Sequence, residues 1–203
     1  MNWHLFSAFL LLTLLLIMTP GPVVTLVIAT SAGKGLRAGL ITVAGSSTGL
    51  AFSLTVIGLG VSWVLSHALF WFEVLRWAGA VYLIWLGIQA WRGAGSVATA
   101  PPRDHVHFGR GFLAAVLNPK VIAFFTAFLP QFVDPSLPAG RQLAVMGAVT
   151  ALLAALSDST WAILASVGRS WFMHPSRTRL LSRLSALALI GGGAWLSFAR
   201  RPA

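Results

Sequence analysis

The sequence contains no cysteine and only four acidic residues among 203, and such shortages exclude several classes of protein. Without cysteine the chain can form neither a disulfide framework nor a thiolate metal site. It also has no Gly-rich loop ending in Lys-Ser or Lys-Thr, so nothing in it predicts nucleotide hydrolysis. We therefore expect neither a cofactor nor a bound metal.

Charged side chains are scarce overall, whereas apolar ones are abundant. Only 9% of the residues are charged, 57% are hydrophobic and the mean hydropathy is +0.84, which leaves too little polar surface for a water-soluble globule. The formal net charge of +10 does not predict a nucleic-acid partner, because the basic residues lie between apolar runs and not on one polar face. The composition predicts an integral membrane protein in contact with lipid.

Apolar runs of the length that crosses a bilayer, about 20 residues, follow one another along the chain. We predict an all-α polytopic membrane protein whose six transmembrane helices lie at approximately Trp3 to Ser31, Leu40 to Leu65, Leu69 to Trp91, Gly111 to Val133, Leu143 to Gly168 and Leu180 to Ala199. The longest connection, Gly93 to Arg110, is rich in Gly, Ala, Ser and Pro and is interpreted as a linker. We therefore expect a single transmembrane domain at 1–203, made of a first repeat at about 1–92, a linker at 93–110 and a second repeat at about 111–203.

The distribution of basic residues predicts the orientation of these helices. Lys34 and Arg37 follow the first span, and further arginines flank the linker and lie between spans five and six, whereas the alternate connections hold little beyond Arg76 and Arg141. We expect the protein in the bacterial inner membrane. The positive-inside rule then places both termini outside the cytoplasm. The two arginines at positions 200 and 201 oppose this assignment, and a five-span arrangement is the main alternative. The first run lacks the basic start of a signal peptide, so we expect it to be retained.

Two of the predicted spans are interrupted by proline at corresponding places. Thr19-Pro20-Gly21-Pro22 breaks the first span, and Asn118-Pro119-Lys120 breaks the fourth. Proline removes a backbone donor and clashes with the preceding turn, so each break leaves main-chain groups without intrahelical partners. Lipid tolerates such groups only where protein or a polar cavity receives them. Paired breaks in two halves are typical of the central binding site of a transporter.

The depth of the breaks predicts that they meet. Three spans per half invert one half relative to the other, which puts both breaks about 10 residues, or roughly 15 Å, from the cytoplasmic face of a core about 30 Å thick. Asp158, the only carboxylate well inside a predicted span, lies at the same depth. A carboxylate there faces a cavity or a partner and marks an ion or proton path. Lys120 is the partner we expect, either in a structural ion pair or in a working switch.

The chemistry of the breaks predicts the class of ligand. Helical segments that begin after Pro22 and Pro119 offer free amides and positive dipole ends to a carboxylate. Freed carbonyls near Thr19 and Leu117, together with Asp158, suit an ammonium group, so a zwitterion meets both needs. Asp158 is also the candidate for ion coupling. The candidate substrate-binding residues are Thr19, Pro20, Gly21, Pro22, Asn118, Pro119, Lys120 and Asp158.

An ordered set of motifs extends this pattern over nearly the whole chain. The set comprises Pro20-Gly21-Pro22 with the turn from Gly33 to Gly39, Gly79 to Leu83, Asn118-Pro119-Lys120 with Leu129 to Phe132, and Asp158 with Trp161. It resembles the lysine exporter (LysE) and homoserine/threonine resistance (RhtB) superfamily. The resemblance implies secondary active export of amino acids or related small metabolites from the bacterial cytoplasm, driven by a proton or ion gradient. The short central loop, which carries few charges, departs from the family and leaves the cargo open.

Two other classes of function compete with a carrier. An intramembrane enzyme could use Asp158 as acid or base, but such chemistry usually needs a second titratable partner, and no buried His, Glu or Cys accompanies it. A membrane scaffold subunit would need no polar cluster at mid-depth. The small-residue pair Gly45 and Gly49 lets helices approach closely, and we expect packing inside one subunit, with a homodimer as the alternative.

Overall fold

The computed structural model describes residues 1–67, 69–92, 107–168 and 174–198, and these form helices joined by short turns. The described α-helices are α1 (Trp3–Met18), α2 (Pro22–Lys34), α3 (Leu36–His67), α4 (Leu69–Arg92), α5 (His107–Val116), α6 (Pro119–Phe128), α7 (Ala139–Val167) and α8 (Pro175–Phe198), with a 3-10 turn at Leu129–Phe132 after α6. The predicted all-α class is confirmed for this part of the chain. Most of the predicted linker, 93–106, lies outside the described residues.

Two to four candidate membrane spans occur among these helices. α7 and the Leu36–Val61 part of α3 are each long and apolar enough to cross a membrane alone. The pair α1 and α2 qualifies only jointly, with a bend of 45°, as does the pair α5 and α6 with its 3-10 turn, with a bend of 40°. The bends are the breaks that the sequence predicts. For the described helices, length and composition establish two to four candidate spans and do not establish the predicted six.

Proline chemistry explains where these helices end. A residue before proline is driven out of the helical region, and Thr19 accordingly has φ −79° and ψ 118°. Gly21 is extended too, with φ −115° and ψ −168°, so α1 ends before the break and α2 restarts at Pro22. Asn118 has φ −72° and ψ 106°, and α6 restarts at Pro119. Proline in the first turn of each new segment loses no helical hydrogen bond, because its missing N–H would have no intrahelical partner there.

Glycines let α3 and α5 cross in backbone contact. A Cβ on Gly45 would overlap the main-chain carbonyl of Phe108, and a Cβ on Gly49 would press on that of Phe112. Both pairs advance in the same direction along the two helices, so α3 and α5 run parallel. The packing of Gly45 and Gly49 inside one subunit, which the sequence predicts, is therefore observed.

Two other helix pairs make reciprocal contacts, and in both the helices run antiparallel. Between α3 and α7, a Cβ built on Gly58 lies 4.0 Å from the Leu143 Cβ, and one built on Gly147 lies 3.9 Å from the Leu54 Cβ.

The second reciprocal pair joins α4 and α8. A Cβ built on Gly87 would lie 2.9 Å from the Ala186 carbonyl oxygen, and one built on Gly193 would lie 2.8 Å from that of Ala80. The spacing from Ala80 to Gly87 equals the spacing from Ala186 to Gly193. α4 and α8 thus meet through a glycine of each helix packed on a carbonyl of the other.

The start of α1 is tied to the turn before α7. The Asn2 side chain accepts from the His4 and Leu5 amides and donates to Asp134 Oδ2 at 3.0 Å. Hydrogen bonds from the Ser136 hydroxyl first, and then from Asn2 and the Ser136 amide, hold the pKa of the half-buried Asp134 below its usual range. The tie therefore uses a carboxylate that stays ionised at neutral pH, and it joins the first segment of the chain to the second half.

Alanine at the glycine crossings should loosen the bundle. In Gly45→Ala and Gly111→Ala the new methyl group meets the carbonyls of Phe108 and Thr42, so the helices must separate. We expect a cost of about 1–3 kcal/mol and a melting temperature in detergent that is lower by roughly 3–10 °C. Gly109→Ala on the same helix is the control, because its Cβ meets nothing within 4 Å. Equal melting of all three variants would contradict the close crossing.

Candidate functional site

A cavity of about 70 Å³ lies where the two helix breaks meet. Residues of α1, α2, α3, α5, α6 and α7 line it, so both halves of the chain contribute. Of the predicted site residues, Thr19, Gly21, Asn118, Lys120 and Asp158 are part of the lining. The three predicted prolines, at 20, 22 and 119, are not; they interrupt the helices and thereby position the groups that line the cavity.

Lys120 connects the two breaks directly. Its Nζ donates to the carbonyl oxygen of Leu16 at 2.7 Å, to that of Thr19 at 2.8 Å and to the Thr19 hydroxyl at 2.7 Å. The last carbonyls of a helix have no partner inside that helix, and in an apolar environment each must find a donor. The lysine at the start of α6 supplies that donor to the end of α1. The predicted meeting of the breaks is therefore observed.

The expected ion pair between Lys120 and Asp158 is not formed. With its three acceptors at the end of α1, the ammonium group of Lys120 makes no contact of salt-bridge length with this carboxylate, although the two charges are close enough to interact electrostatically. Instead, Asp158 Oδ2 accepts from the Ser46 hydroxyl at 3.3 Å, and that hydroxyl also lies 3.0 Å from the Val43 carbonyl oxygen. A single hydroxyl proton serves two acceptors, so the carboxylate is weakly held. Its Oδ1 accepts no hydrogen bond from the described residues and is available to a ligand.

The two breaks differ in the amides that they leave free. At the second break the Asn118 side chain accepts from the Lys120 amide at 3.1 Å, which caps α6. At the first break Gly21 supplies no side-chain cap, and Val23 and Val24 at the start of α2 line the cavity. The Asn118 cap occupies one first-turn amide of α6, whereas no side chain caps the start of α2. The start of α2 therefore presents more uncapped amides, and a positive dipole end, to the cavity.

Three hydroxyl groups in the lining, those of Ser46, Ser47 and Thr150, were missed by sequence reasoning. Ser47 and Thr150 border the cavity, and their oxygens are buried without a hydrogen-bond partner in the described residues. A sequence signal existed for Thr150, because Thr150, Ala154 and Asp158 are spaced four residues apart and so share one face of α7. All three line the cavity.

Comparison with known proteins adds independent information. The family model described as LysE type translocator matches residues 14–199. The chain is 34% identical to the homoserine/homoserine lactone efflux protein of Salmonella typhimurium, over 98% of this chain and 99% of that protein. It is 31% identical to the leucine efflux protein of Klebsiella pneumoniae over 59% of this chain and 58% of that protein. An uncharacterized membrane protein of Vibrio cholerae is 28% identical, over 98% of this chain and all of that protein. No solved structure gives a significant match.

Removal of the Lys120 hydrogen bonds to the end of α1 should destabilise the protein by an amount that depends on Thr19. Lys120→Met leaves the Thr19 carbonyl and hydroxyl oxygens without their donor, and each buried unpaired group costs about 1–3 kcal/mol. The Thr19 hydroxyl also donates to the Leu16 carbonyl at 2.6 Å, so Thr19→Val removes an acceptor of Lys120 and a second donor to Leu16. Its cost should therefore differ between the unaltered protein and Lys120→Met.

The measurement is the melting temperature of the single and double variants in detergent. Thr25→Val is the control, because the Thr25 hydroxyl bonds to Gly21 in its own helix, and its effect should add to that of Lys120→Met. Additive effects of Thr19→Val and Lys120→Met would show that the two residues are not coupled.

Proposed function

Because this chain belongs to the LysE type translocator family, we propose that it is a secondary active exporter, coupled to a proton or ion gradient, that moves amino acids or related small metabolites out of the cytoplasm. Membership makes it a membrane transport protein and not an enzyme. Its relatives include proteins named for the efflux of homoserine and of leucine. The observation that carries the proposal is the single cavity that both helix breaks and the Asp158 carboxylate line.

The two ends of a zwitterion have separate partners in this cavity. Asp158, with one oxygen free of protein donors, receives the cargo ammonium group. The uncapped amides of α2 receive the cargo carboxylate. Lys120 donates its three protons to Leu16 and Thr19, so it attracts this carboxylate by its charge and not by a direct hydrogen bond. Gly21 lies beside Lys120, since a Cβ built on it lies 3.4 Å from Lys120 Cδ and 3.7 Å from Lys120 Nζ.

Competition at Asp158 supplies a means of coupling. The carboxylate can bind either a proton or the cargo ammonium group. Once it is protonated it has no negative charge left to attract the ammonium group, so binding both at once is unfavourable. A site that binds cargo on the cytoplasmic side and a proton on the other side therefore exchanges one for the other. A small cation could replace the proton in the same cycle. The lone intramembrane carboxylate is the group that such coupling requires.

Six spans in two inverted repeats complete the proposal. When six spans alternate in direction, the second and fourth run the same way, whereas the second and fifth, and the third and sixth, run in opposite ways. In this order α3 belongs to span two, α4 to span three, α5 to span four, α7 to span five and α8 to span six. The parallel pair α3 and α5 and the antiparallel pairs α3 with α7 and α4 with α8 support it. We place the protein in the bacterial inner membrane with both termini outside the cytoplasm, as the basic residues predict. A homodimer stays a prediction.

Neutralising the carboxylate should abolish export without unfolding the protein. Asp158→Asn keeps the size of the side chain and removes its charge, so efflux should fall at least about tenfold while the amount of inserted protein is maintained. The control is Asp134→Asn, which alters the carboxylate that Asn2 contacts before α7 and not one in the cavity. The measurement is release of amino acids from cells that express each variant. Unchanged release by Asp158→Asn would refute the coupling role of this carboxylate.

Bulk at Gly21 should obstruct the site in proportion to its size. The backbone there, with φ −115°, accepts any residue, and the Cβ of Gly21→Ala makes an ordinary contact with Lys120. Export by this variant should stay near normal. The longer side chain of Gly21→Leu would displace Lys120 or fill the cavity, and export should fall about tenfold or more. Equal export by both variants would show that cargo does not lie against this turn.

A further inference from the structure

The unpartnered hydroxyls of Ser47 and Thr150 stand out against the other hydroxyls of these helices. Serine and threonine in a helix commonly donate to the carbonyl three or four residues earlier. The protein follows this habit at many positions, namely Thr25, Thr42, Ser46, Thr48, Thr55, Thr160, Ser166 and Ser197. Ser47 and Thr150 do not, although their oxygens are buried. Other buried hydroxyls without a partner in the described residues, at Thr13, Thr30 and Ser31, do not line the cavity.

A buried hydroxyl without a partner is unfavourable unless something else binds it. Thr150 is fully buried and borders the same cavity as the Asp158 carboxylate. Polar atoms in such a position are normally satisfied by protein, by water or by a ligand. The cavity, at about 70 Å³, has room for water or for part of a ligand.

The position of Thr150 fits one end of an extended amino acid. Thr150 precedes Asp158 by eight residues on the same face of α7, a separation of about 12 Å along the helix. An extended four-carbon amino acid with a hydrogen bond at each end spans roughly 10 Å. Ala154 lies between the two residues and, with its small side chain, leaves space for the cargo. Ser47 reaches the same cavity from α3.

Resting on the export function proposed above, we propose that Ser47 and Thr150 form a subsite that selects cargo with a hydroxyl or carbonyl oxygen on its side chain. The Asp158 end holds the ammonium group, and the hydroxyl end reads the side chain. Much of the remaining lining is apolar, including Leu50, Val121 and Phe125, so these two hydroxyls determine whether a polar side chain is accepted. A site whose polar groups pair with a cargo oxygen discriminates against the analogue without it, because that analogue leaves them unpaired.

The test compares two cargoes of equal shape. Homoserine and norvaline differ only in that a terminal hydroxyl replaces a methyl group, and both are loaded together into proteoliposomes that contain the full chain. Downhill efflux of both is measured at once, which requires no knowledge of the coupling ion. Thr150→Val and Ser47→Ala should each lower the homoserine-to-norvaline ratio, by about tenfold for the threonine. Thr48→Val is the matched control, because the Thr48 hydroxyl bonds within its own helix and is exposed; its ratio should equal that of the unaltered protein.

Rescue distinguishes recognition from folding. Thr150→Ser keeps the hydroxyl and loses the methyl group, so it should restore most of the ratio that Thr150→Val loses. A ratio that is the same in Thr150→Val, Ser47→Ala and the unaltered protein would overturn the subsite, because the hydroxyls would then bind water only. Release of neither amino acid by the unaltered protein would overturn the proposed export function instead.

Discussion

The constraint on which this structure depends is the need to satisfy main-chain groups that proline frees inside a membrane protein. A broken helix in lipid must find donors for its last carbonyls within the protein, because no water is available. Lys120 provides them, with three hydrogen bonds to Leu16 and Thr19 across the two halves of the chain. The bond network thus fixes α6 against α1 and creates the cavity at their junction. The same contact that stabilises the break also brings a cation to the site.

Occupation of Lys120 by these carbonyls has a direct consequence for Asp158. The carboxylate is left with the Ser46 hydroxyl as its protein donor, and that hydroxyl is shared with a main-chain carbonyl. A buried carboxylate of this kind costs free energy, which a proton or a cargo cation can offset. The unfavourable environment is therefore suited to a group that must bind and release its partner in each cycle. A strong ion pair with Lys120 would stabilise the resting state and oppose that exchange.

Sequence reasoning predicted those features that depend on local chemistry. Pro20, Pro22 and Pro119 interrupt helices wherever they occur, so both breaks were predicted, and Asp158 lies in the cavity as a lone intramembrane carboxylate should. Lys120 and Asp158 share the cavity and interact electrostatically, as the sequence predicts, but Lys120 donates its hydrogen bonds to freed carbonyls, and that reach is not visible in a sequence.

Features that depend on the direction of a hydrogen bond also could not be predicted from the sequence. The cap that Asn118 provides to α6 and the unpaired hydroxyl of Thr150 are set by side-chain rotamers and neighbouring helices. Both are invisible to spacing alone. The number of spans was predicted from apolar runs, and the described helices bear out the coarser result, an all-helical protein with apolar helices long enough to cross a membrane.

The central claim, that cargo passes through the cavity at the paired breaks, can be tested directly because the chain has no cysteine of its own. Ala154→Cys places a thiol in the cavity, and Leu152→Cys places one on an exposed position of the same helix, 60% exposed in the structure. The measurement is the rate of modification by a small membrane-impermeant thiol reagent, with and without excess amino acid. The account predicts that Ala154→Cys is modified and that cargo protects it, whereas any modification of Leu152→Cys is indifferent to cargo. Failure of every exported amino acid to protect Ala154→Cys would contradict it.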